Sequence, residues 1–299
     1  MVKEFILRGF SSNGVGQPVL FTLLFLIYTF TLTGNITIIK LVWSHPTLQK
    51  PMYIFLANLS FVEIWFTTST MPKMLSGLLV QDNYISFTGC FLQYFFFFSL
   101  GTTECFLLAI MGYDRYLAIC QPLRYNVLMS RRKCLCLGAS CWIAGFTWSV
   151  LPVSLISQLP FCRENEIDHI LCDTGPLLEI VCERDFTIEV ACSICTSSML
   201  LATCLFTSIS YAFIIQTIIR IPSAAGRRKA FSTCASHLTV VFLMFGCTMY
   251  MYIRPSGKHP LKYDKLLATI YTIVTPFLNP IIYSLRNKEF MKVVRKVMS

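Results

Sequence analysis

The amino-acid sequence predicts an all-α membrane protein: a seven-transmembrane helix bundle with its amino terminus outside and its carboxyl terminus inside. Three observations predict it. Seven apolar runs reach the length a helix needs to cross a bilayer, about 20 residues. Lys and Arg gather on one side of those runs and acids on the other. The third run flows directly into an acid-base-aromatic triplet, Asp114-Arg115-Tyr116, with Pro122 shortly after. A charged pair at the mouth of a membrane helix is costly unless paired or hydrated, so it marks a functional site. Its plainer explanation is an Arg snorkelling at a helix end.

Composition agrees. The chain has 299 residues, 55% hydrophobic and 13% charged, where a soluble domain carries about 25% charged residues. The net charge of +10 would suit nucleic acid or a membrane surface, and its placement selects the membrane. No linker, low-complexity tract or internal repeat divides residues 1–299, which read as one domain. Fourteen Cys are too scattered for a zinc pattern.

The spans in order are Pro18 to Trp43, Met52 to Met71, Phe91 to Ile119, Cys134 to Ser157, Ile188 to Ile219, Phe231 to Ile253 and Leu266 to Leu285. The first is too long for the apolar region of a cleaved signal peptide, about 7–15 residues. Spanning strands need only about 9–11 alternating residues, so runs of this length mean helices. A polar hinge, Ser44 to Pro51, separates the first two spans, and a long acidic loop covers 158–187.

Orientation follows from charge. With the amino terminus outside, the cytoplasmic ends hold Lys40, Lys50, Arg115, Arg124, Arg131, Arg132, Lys133, Arg220, Arg227, Arg228 and Lys229, and the tail adds Arg286, Lys288, Lys292, Arg295 and Lys296. The outer loop carries Glu164, Glu166, Asp168, Asp173, Glu179, Glu183 and Asp185. Positive charge belongs inside. After the seventh span, Phe290, Val293, Val294 and Val297 alternate with Lys292, Arg295 and Lys296, the spacing of a short basic amphipathic helix on the inner leaflet.

Several groups could carry chemistry. Cys90, Cys162, Cys172 and Cys182 fall on the oxidising outer face, where two disulfides are expected, and spacing leaves three pairings open. His169 stands three residues before Cys172, a copper or zinc pair that competes with a disulfide at that thiol. Glu63 and Glu104 sit deep in apolar runs and must face the interior, be protonated or share a cation. Asn35 and Asn279 would join them, around a sodium ion or a shared proton. Pro276 and Pro280 interrupt the seventh span and permit a kink beside Asn279 and Tyr283. No HExxH, GxSxG or Walker loop is present, which argues against an enzyme.

Seven spans with these motifs resemble the rhodopsin-like (class A) G-protein-coupled receptors, and among them the odorant (olfactory) receptor family. The residues carrying the likeness run the length of the chain: Glu4 to Phe10, Gly34-Asn35, Pro51 to Ser60, Met111 to Tyr116 with Ala118-Ile119-Cys120, Pro122-Leu123 and Tyr125, Ser210-Tyr211, Lys229 to Leu238, and Pro276 with Leu278-Asn279-Pro280 and Ile282 to Asn287. The resemblance implies disulfides Cys90–Cys172 and Cys162–Cys182. It makes Arg115 the activation switch, held by Asp114 at rest, with Tyr116, Tyr211, His237, Asn279, Pro280 and Tyr283 around it. It maps Glu63, Glu104 and Asn279 to an ion-binding cluster. It implies a small-molecule odorant outside, a stimulatory, olfactory-type heterotrimeric G protein inside, a rise in cyclic AMP, and residence in the plasma membrane of sensory cilia.

Four departures stand out. Gly112 replaces the usual Ala, Glu63 stands where Asp is more usual, Phe245 replaces a Tyr, and the amino-terminal sequon is missing, which bears on the start site and surface delivery. Helix bundles place ligands between helices. The expected lining is Phe97, Phe98, Gly101, Thr102 and Cys105, with Met199, Phe245, Thr248, Tyr252 and Thr272 on the other walls. No charge is among them, so neutral apolar odorants are expected. The rival functions are a non-olfactory receptor of the same fold and a proton- or cation-coupled transporter using Glu63 and Glu104. A transporter would usually show inverted repeats, and none is visible.

Overall fold

The computed structural model describes residues 2–10, 16–80, 83–161, 165–253, 263–285 and 288–298. Cys162, Glu164, Arg286 and Asn287, named above, lie outside these residues. A chain inside hydrocarbon must satisfy its backbone polar groups within itself, and helices do this residue by residue. Helix α1 covers Gly16–Ser44, and a tight turn at Pro46–Leu48 takes the place of the polar hinge. Helix α2 covers Pro51–Val80 and opens on a Pro, where the missing N–H is no loss. Helix α3, Phe87–Cys120, is capped by Ser86, whose hydroxyl accepts from the Gly89 N–H at 3.0 Å. A one-turn α4, Tyr125–Leu128, leads into α5, Arg131–Ser157. In the outer loop lies α6, Thr174–Glu179, capped by Asp173. Helix α7, Phe186–Ile219, is capped by Asp185, and α8, Ala224–Tyr252, by Ser223. The last rod joins α9, Asp264–Thr269, through a π turn at Ile270–Val274 to α10, Thr275–Leu285, and α11 covers Lys288–Met298.

Among the described residues, six helical rods are long and apolar enough to cross a membrane: α1, α3, α5, α7, α8 and Asp264–Tyr283. The remaining rod, α2, has the length. Its apolar character is diluted by Ser60, Glu63, Thr67 and Thr70, all buried against other helices rather than facing out. Helices also overrun the apolar stretches from which their ends were read. Helix α2 continues through Pro72 to Val80, and α8, capped by Ser223, begins at Ala224, seven residues before Phe231. Helix ends are set by caps, while apolar runs mark hydrocarbon.

Helix α3 is the centre. It packs against α2, α5, α7 and α8. Its most apolar stretch is 78% buried inside the protein, whereas that of α1 is 17% buried. Gly145 lets α5 approach closely: a Cβ there would sit 2.9 Å from the Thr103 nitrogen and 3.0 Å from the Ser99 carbonyl oxygen.

The outer cap holds structure that an all-helical reading omits. Strand β1, Glu4–Leu7, lies between β2, Tyr84–Ser86, and β3, Glu166–Ile167, antiparallel to the first and parallel to the second. Phe5 and Leu7 alternate inward, and Phe5 packs on Phe87 and Phe161. Arg8 pairs with Glu166. The Cys90–Cys172 disulfide pins the loop to α3, and Gln93 completes the joint by accepting from the Cys172 N–H at 3.1 Å and donating to the Ser69 carbonyl at 3.1 Å. Cys182 is disulfide-bonded, but the pairing expected for it falls on Cys162. His169 lies beside the bridged Cys172, so the copper or zinc pair loses its thiol.

Two buried groups make this cap sensitive to pH. Burial holds the His169 imidazole below its ordinary 6.5, against the pull of Asp173 and Asp264 and with the push of Lys265. Burial raises the Asp173 carboxyl above 3.8, opposed by His169, Tyr252 and the Thr174 N–H. An imidazole with a lowered folded-state pKa contributes stability above about pH 6.5 and loses it as pH falls through the folded value. Asp173 has the opposite sign, contributing at low pH and fading as pH rises. Acidifying the purified protein from about pH 7.5 to about 5.5 crosses the His169 window. The expected result is a fall in melting temperature that shrinks in His169→Gln; an equal fall in both proteins would contradict this assignment.

Candidate functional site

The half of the bundle beneath the strand cap encloses a cavity of about 290 Å³, counting its open mouth. Helix α3 supplies Phe97, Phe98, Gly101, Thr102 and Cys105, α7 supplies Met199, and α8 supplies Thr248 and Tyr252, so residues about one helical turn apart come to one wall. Thr196, Leu200 and Tyr271 complete the lining and were not among the expected residues. Phe245 and Thr272 are buried elsewhere in the core. The exchange of Thr272 for Tyr271 has a backbone cause. The π turn at Ile270–Val274 holds an extra residue per turn, which rotates the inward face by about one position. Thr272 then spends its hydroxyl on the Ala268 carbonyl at 2.7 Å.

Two threads tie the mouth of the cavity to the cap. The Tyr252 hydroxyl donates to Asp173 Oδ2 at 2.8 Å, joining α8 to the disulfide-pinned loop. Tyr94 and Thr174 share a hydrogen bond of 2.8 Å, joining α3 to α6. Lys265 at the start of the last rod pairs with Asp168 at 2.5 Å. The loop therefore bears directly on the helices that line the cavity.

Below the cavity lies a buried polar cluster. Asn279 donates to Glu63 Oε1, while Asn35 donates to the Thr31 carbonyl at 3.0 Å. Among the described residues, Asn35 Oδ1, Glu63 Oε2, Glu104 Oε1 and Asn279 Oδ1 are buried without hydrogen-bond partners. Buried polar atoms without partners are uncommon and call for an explanation. Hard carboxylate and amide oxygens are the donor set that a hard cation such as sodium takes.

At the opposite end of the bundle the triplet is in place on α3. Asp114 is buried, and Arg115 Nη2 lies 3.8 Å from Asp114 Oδ2. The shorter contact to Asp114 comes from Tyr125 on α4, whose hydroxyl donates to Oδ1 at 2.8 Å. Burial, then the charge of Asp114, pushes the Tyr125 phenol well up, so it stays a donor. The motif contains Tyr125, but a contact between α3 and the following turn has no periodic signal in sequence.

Tyr211 and His237 stack at 5.6 Å and share a hydrogen bond of 2.8 Å through Nδ1. His237 Nε2 lies 3.0 Å from the Leu108 carbonyl oxygen, which can only accept. In the neutral ring Nε2 therefore carries the proton, and Nδ1 accepts from the Tyr211 hydroxyl. One imidazole thus links α7, α8 and α3. Tyr116 accepts from Gln121 at 3.2 Å and packs on Phe213. Tyr283 is buried with its hydroxyl unpartnered among the described residues, and Pro280 lies against Gly34.

Comparison with known proteins places this geometry. The olfactory receptor family model matches residues 24–299. The chain is 50% identical to Olfactory receptor 11G2 of Homo sapiens over 292 residues, 98% of this chain and 85% of that protein. It is 49% identical to Olfactory receptor 6N1 of Homo sapiens, over 99% of this chain and 95% of the relative. With Olfactory receptor 6B9 of Mus musculus it shares 46% identity over 100% of this chain and 94% of the relative. The protein is a multi-pass membrane receptor and not an enzyme. Matched over most of its length, with an uncharged chamber at one end and its Asp-Arg-Tyr triplet at the other, the chain belongs to the olfactory receptor family and is an odorant receptor.

Proposed function

We propose that the chain crosses the plasma membrane seven times, amino terminus outside, and passes odorant binding to a stimulatory, olfactory-type heterotrimeric G protein that raises cyclic AMP. The observation that carries this reading is the His237 junction: one side chain joins α7, α8 and α3, meeting α3 at Leu108, about two helical turns from Arg115. A shift of α8 relative to α3 must break or remake those two hydrogen bonds. Interfaces of this kind have discrete arrangements rather than a continuum. The family's coupling mechanism, carried onto Asp114, Arg115, Tyr116, Tyr211 and Tyr283, supplies the direction of the reading.

The other features fit the same orientation. Basic residues Arg124, Arg131, Arg132, Lys133 and Arg220 stand at the end that bears Arg115, as a cytoplasmic face requires. Helix α11 inserts Phe290 into the bundle and rests Val293 and Val294 against it, while Lys292 and Arg295 remain for anionic headgroups. A sodium ion bound by Glu63 and Glu104, with Asn35 and Asn279 completing the oxygens, would satisfy the unpartnered atoms of the polar cluster. The family's usual site of action, the cilia of olfactory neurons, is carried over with the mechanism.

Cyclic AMP measured in cells co-expressing the olfactory G protein tests the coupling. With surface expression matched, Arg115→Ala is expected to abolish a response to volatile compounds that the wild type gives; an undiminished response would remove Arg115 from the switch. The ion is tested on the purified protein by replacing sodium chloride with choline chloride at equal ionic strength. Loss of sodium is expected to lower the melting temperature of the wild type and leave Glu104→Gln unmoved. Equal melting in both salts would dismiss the ion.

A further inference from the structure

The chamber contains an arrangement that says which odorants it takes. A Cβ on residue 101 would overlap the hydroxyl of Tyr271, so only glycine lets that hydroxyl reach the wall of α3. Tyr271 is carried on the π turn, a backbone irregularity frequently found at functional sites. Its ring is held by Phe66 at 5.2 Å and Phe97 at 5.9 Å, which themselves stack at 4.9 Å. The ring is thus clamped and the hydroxyl is delivered to the cavity lining. Among the described residues that hydroxyl makes no hydrogen bond.

Beside it, one residue along α3, stands Thr102. Helical threonines in this bundle habitually donate to the carbonyl four residues back, as Thr103 does to Ser99, Thr203 to Met199 and Thr248 to Met244. Thr102 does not: its Oγ1 is buried and without a partner among the described residues, although the residue lines the cavity. The other polar groups of the lining are largely committed. Tyr252 donates to Asp173, Thr248 to Met244, and the Cys105 thiol to the Met244 sulfur at 3.6 Å. Thr196, on α7, adds one further hydroxyl. A buried hydroxyl left unmatched is costly, so a ligand that supplies an acceptor recovers that cost.

We propose that Tyr271 and Thr102 form the polar pole of the chamber, that Gly101 is the residue that admits it, and that the preferred ligands are small neutral carbonyl compounds, aldehydes or ketones. A carbonyl oxygen has two lone pairs and can accept from both hydroxyls. An alcohol brings a donor of its own that must also be placed, and a hydrocarbon leaves both hydroxyls unmatched. A carboxylate or an ammonium would enter an uncharged lining without a counter-ion, which is costly. This inference rests on the cavity being the odorant site.

The test is a melting-temperature shift on the purified receptor, a readout that needs no G protein and so survives a failure of the proposed coupling. Three matched sets are used: octanal, octanol and octane; cyclohexanone, cyclohexanol and cyclohexane; benzaldehyde, benzyl alcohol, toluene, benzoic acid and benzylamine. Carbonyl members are expected to raise the melting temperature most within any set that binds, alcohols less, and hydrocarbons, acids and amines least. Tyr271→Phe keeps the clamped ring, and Thr102→Val keeps the volume. Each is expected to weaken carbonyl binding about tenfold, the equivalent of one hydrogen bond, while leaving hydrocarbon binding in place. Gly101→Ala should match Tyr271→Phe although it removes no polar atom; if it fails to fold, the other two variants decide. Binding of acids, amines or hydrocarbons as tight as carbonyls, no carbonyl binding in any set, or equal losses for carbonyl and hydrocarbon in Tyr271→Phe and Thr102→Val would each overturn the proposal.

Discussion

Polar groups inside an apolar bundle have no water to turn to, and α3 is where this receptor gathers many of them. Along one helix stand Gln93 at the disulfide joint, Thr102 in the chamber, Glu104 in the polar cluster and Asp114 beside the cytoplasmic turn. Each is buried and each depends on another helix or loop for a partner, or has none. The helices around α3 are thereby held by position-specific contacts rather than by greasy packing alone, which in a membrane gives little preference for one arrangement over another. The close approach at Gly145 and the pinning of Cys90 to Cys172 hold α3 against α5 and the long loop.

That arrangement gives the proposed coupling a physical route from the chamber toward Arg115. Tyr271 touches the chamber at Gly101, one turn above Glu104, and its rod continues through the π turn to Asn279 and Tyr283. Helix α8 lines the chamber with Thr248 and Tyr252 and carries His237 three turns below, against Tyr211 and the Leu108 carbonyl. A ligand that alters the seating of α8 therefore acts on a rod that is hydrogen-bonded at both ends, through Tyr252 and through His237. The proposed coupling needs no long chain of intermediates, because α8 itself reaches from the chamber to the Tyr211–Leu108 junction.

Much of this could be read before the structure. Run length, basic asymmetry and the Asp114-Arg115-Tyr116 triplet suffice for the bundle, because bilayer thickness and charge bias act on sequence directly. Helical spacing suffices for the α3 wall of the chamber. What could not be read has a common cause, the dependence on tertiary contact. The three-stranded cap joins segments some 80 residues apart in sequence, Tyr84–Ser86 and Glu166–Ile167, through a strand of four residues. The π turn replaces Thr272 by Tyr271, and no pattern of side chains announces it. Tyr125 reaches Asp114 because α4 folds back on α3, which the intervening Pro122 permits but does not specify. Helix α2 shows the opposite lesson: polar residues that weaken its apolar signal are those turned inward.

The claim underlying all of this is that the chamber and the cytoplasmic end are thermodynamically linked through the bundle. Linkage between two sites is reciprocal, and couplings of about 1–3 kcal/mol correspond to about 5–150-fold in affinity. The most direct measurement is the dissociation constant of an activating odorant for the purified receptor, with and without nucleotide-free olfactory G protein. The expected result is binding tighter in the presence of the G protein by a factor in that range, with the odorant tightening G-protein binding by the same factor. Identical odorant affinity in the two conditions, with the G protein bound, would contradict the link.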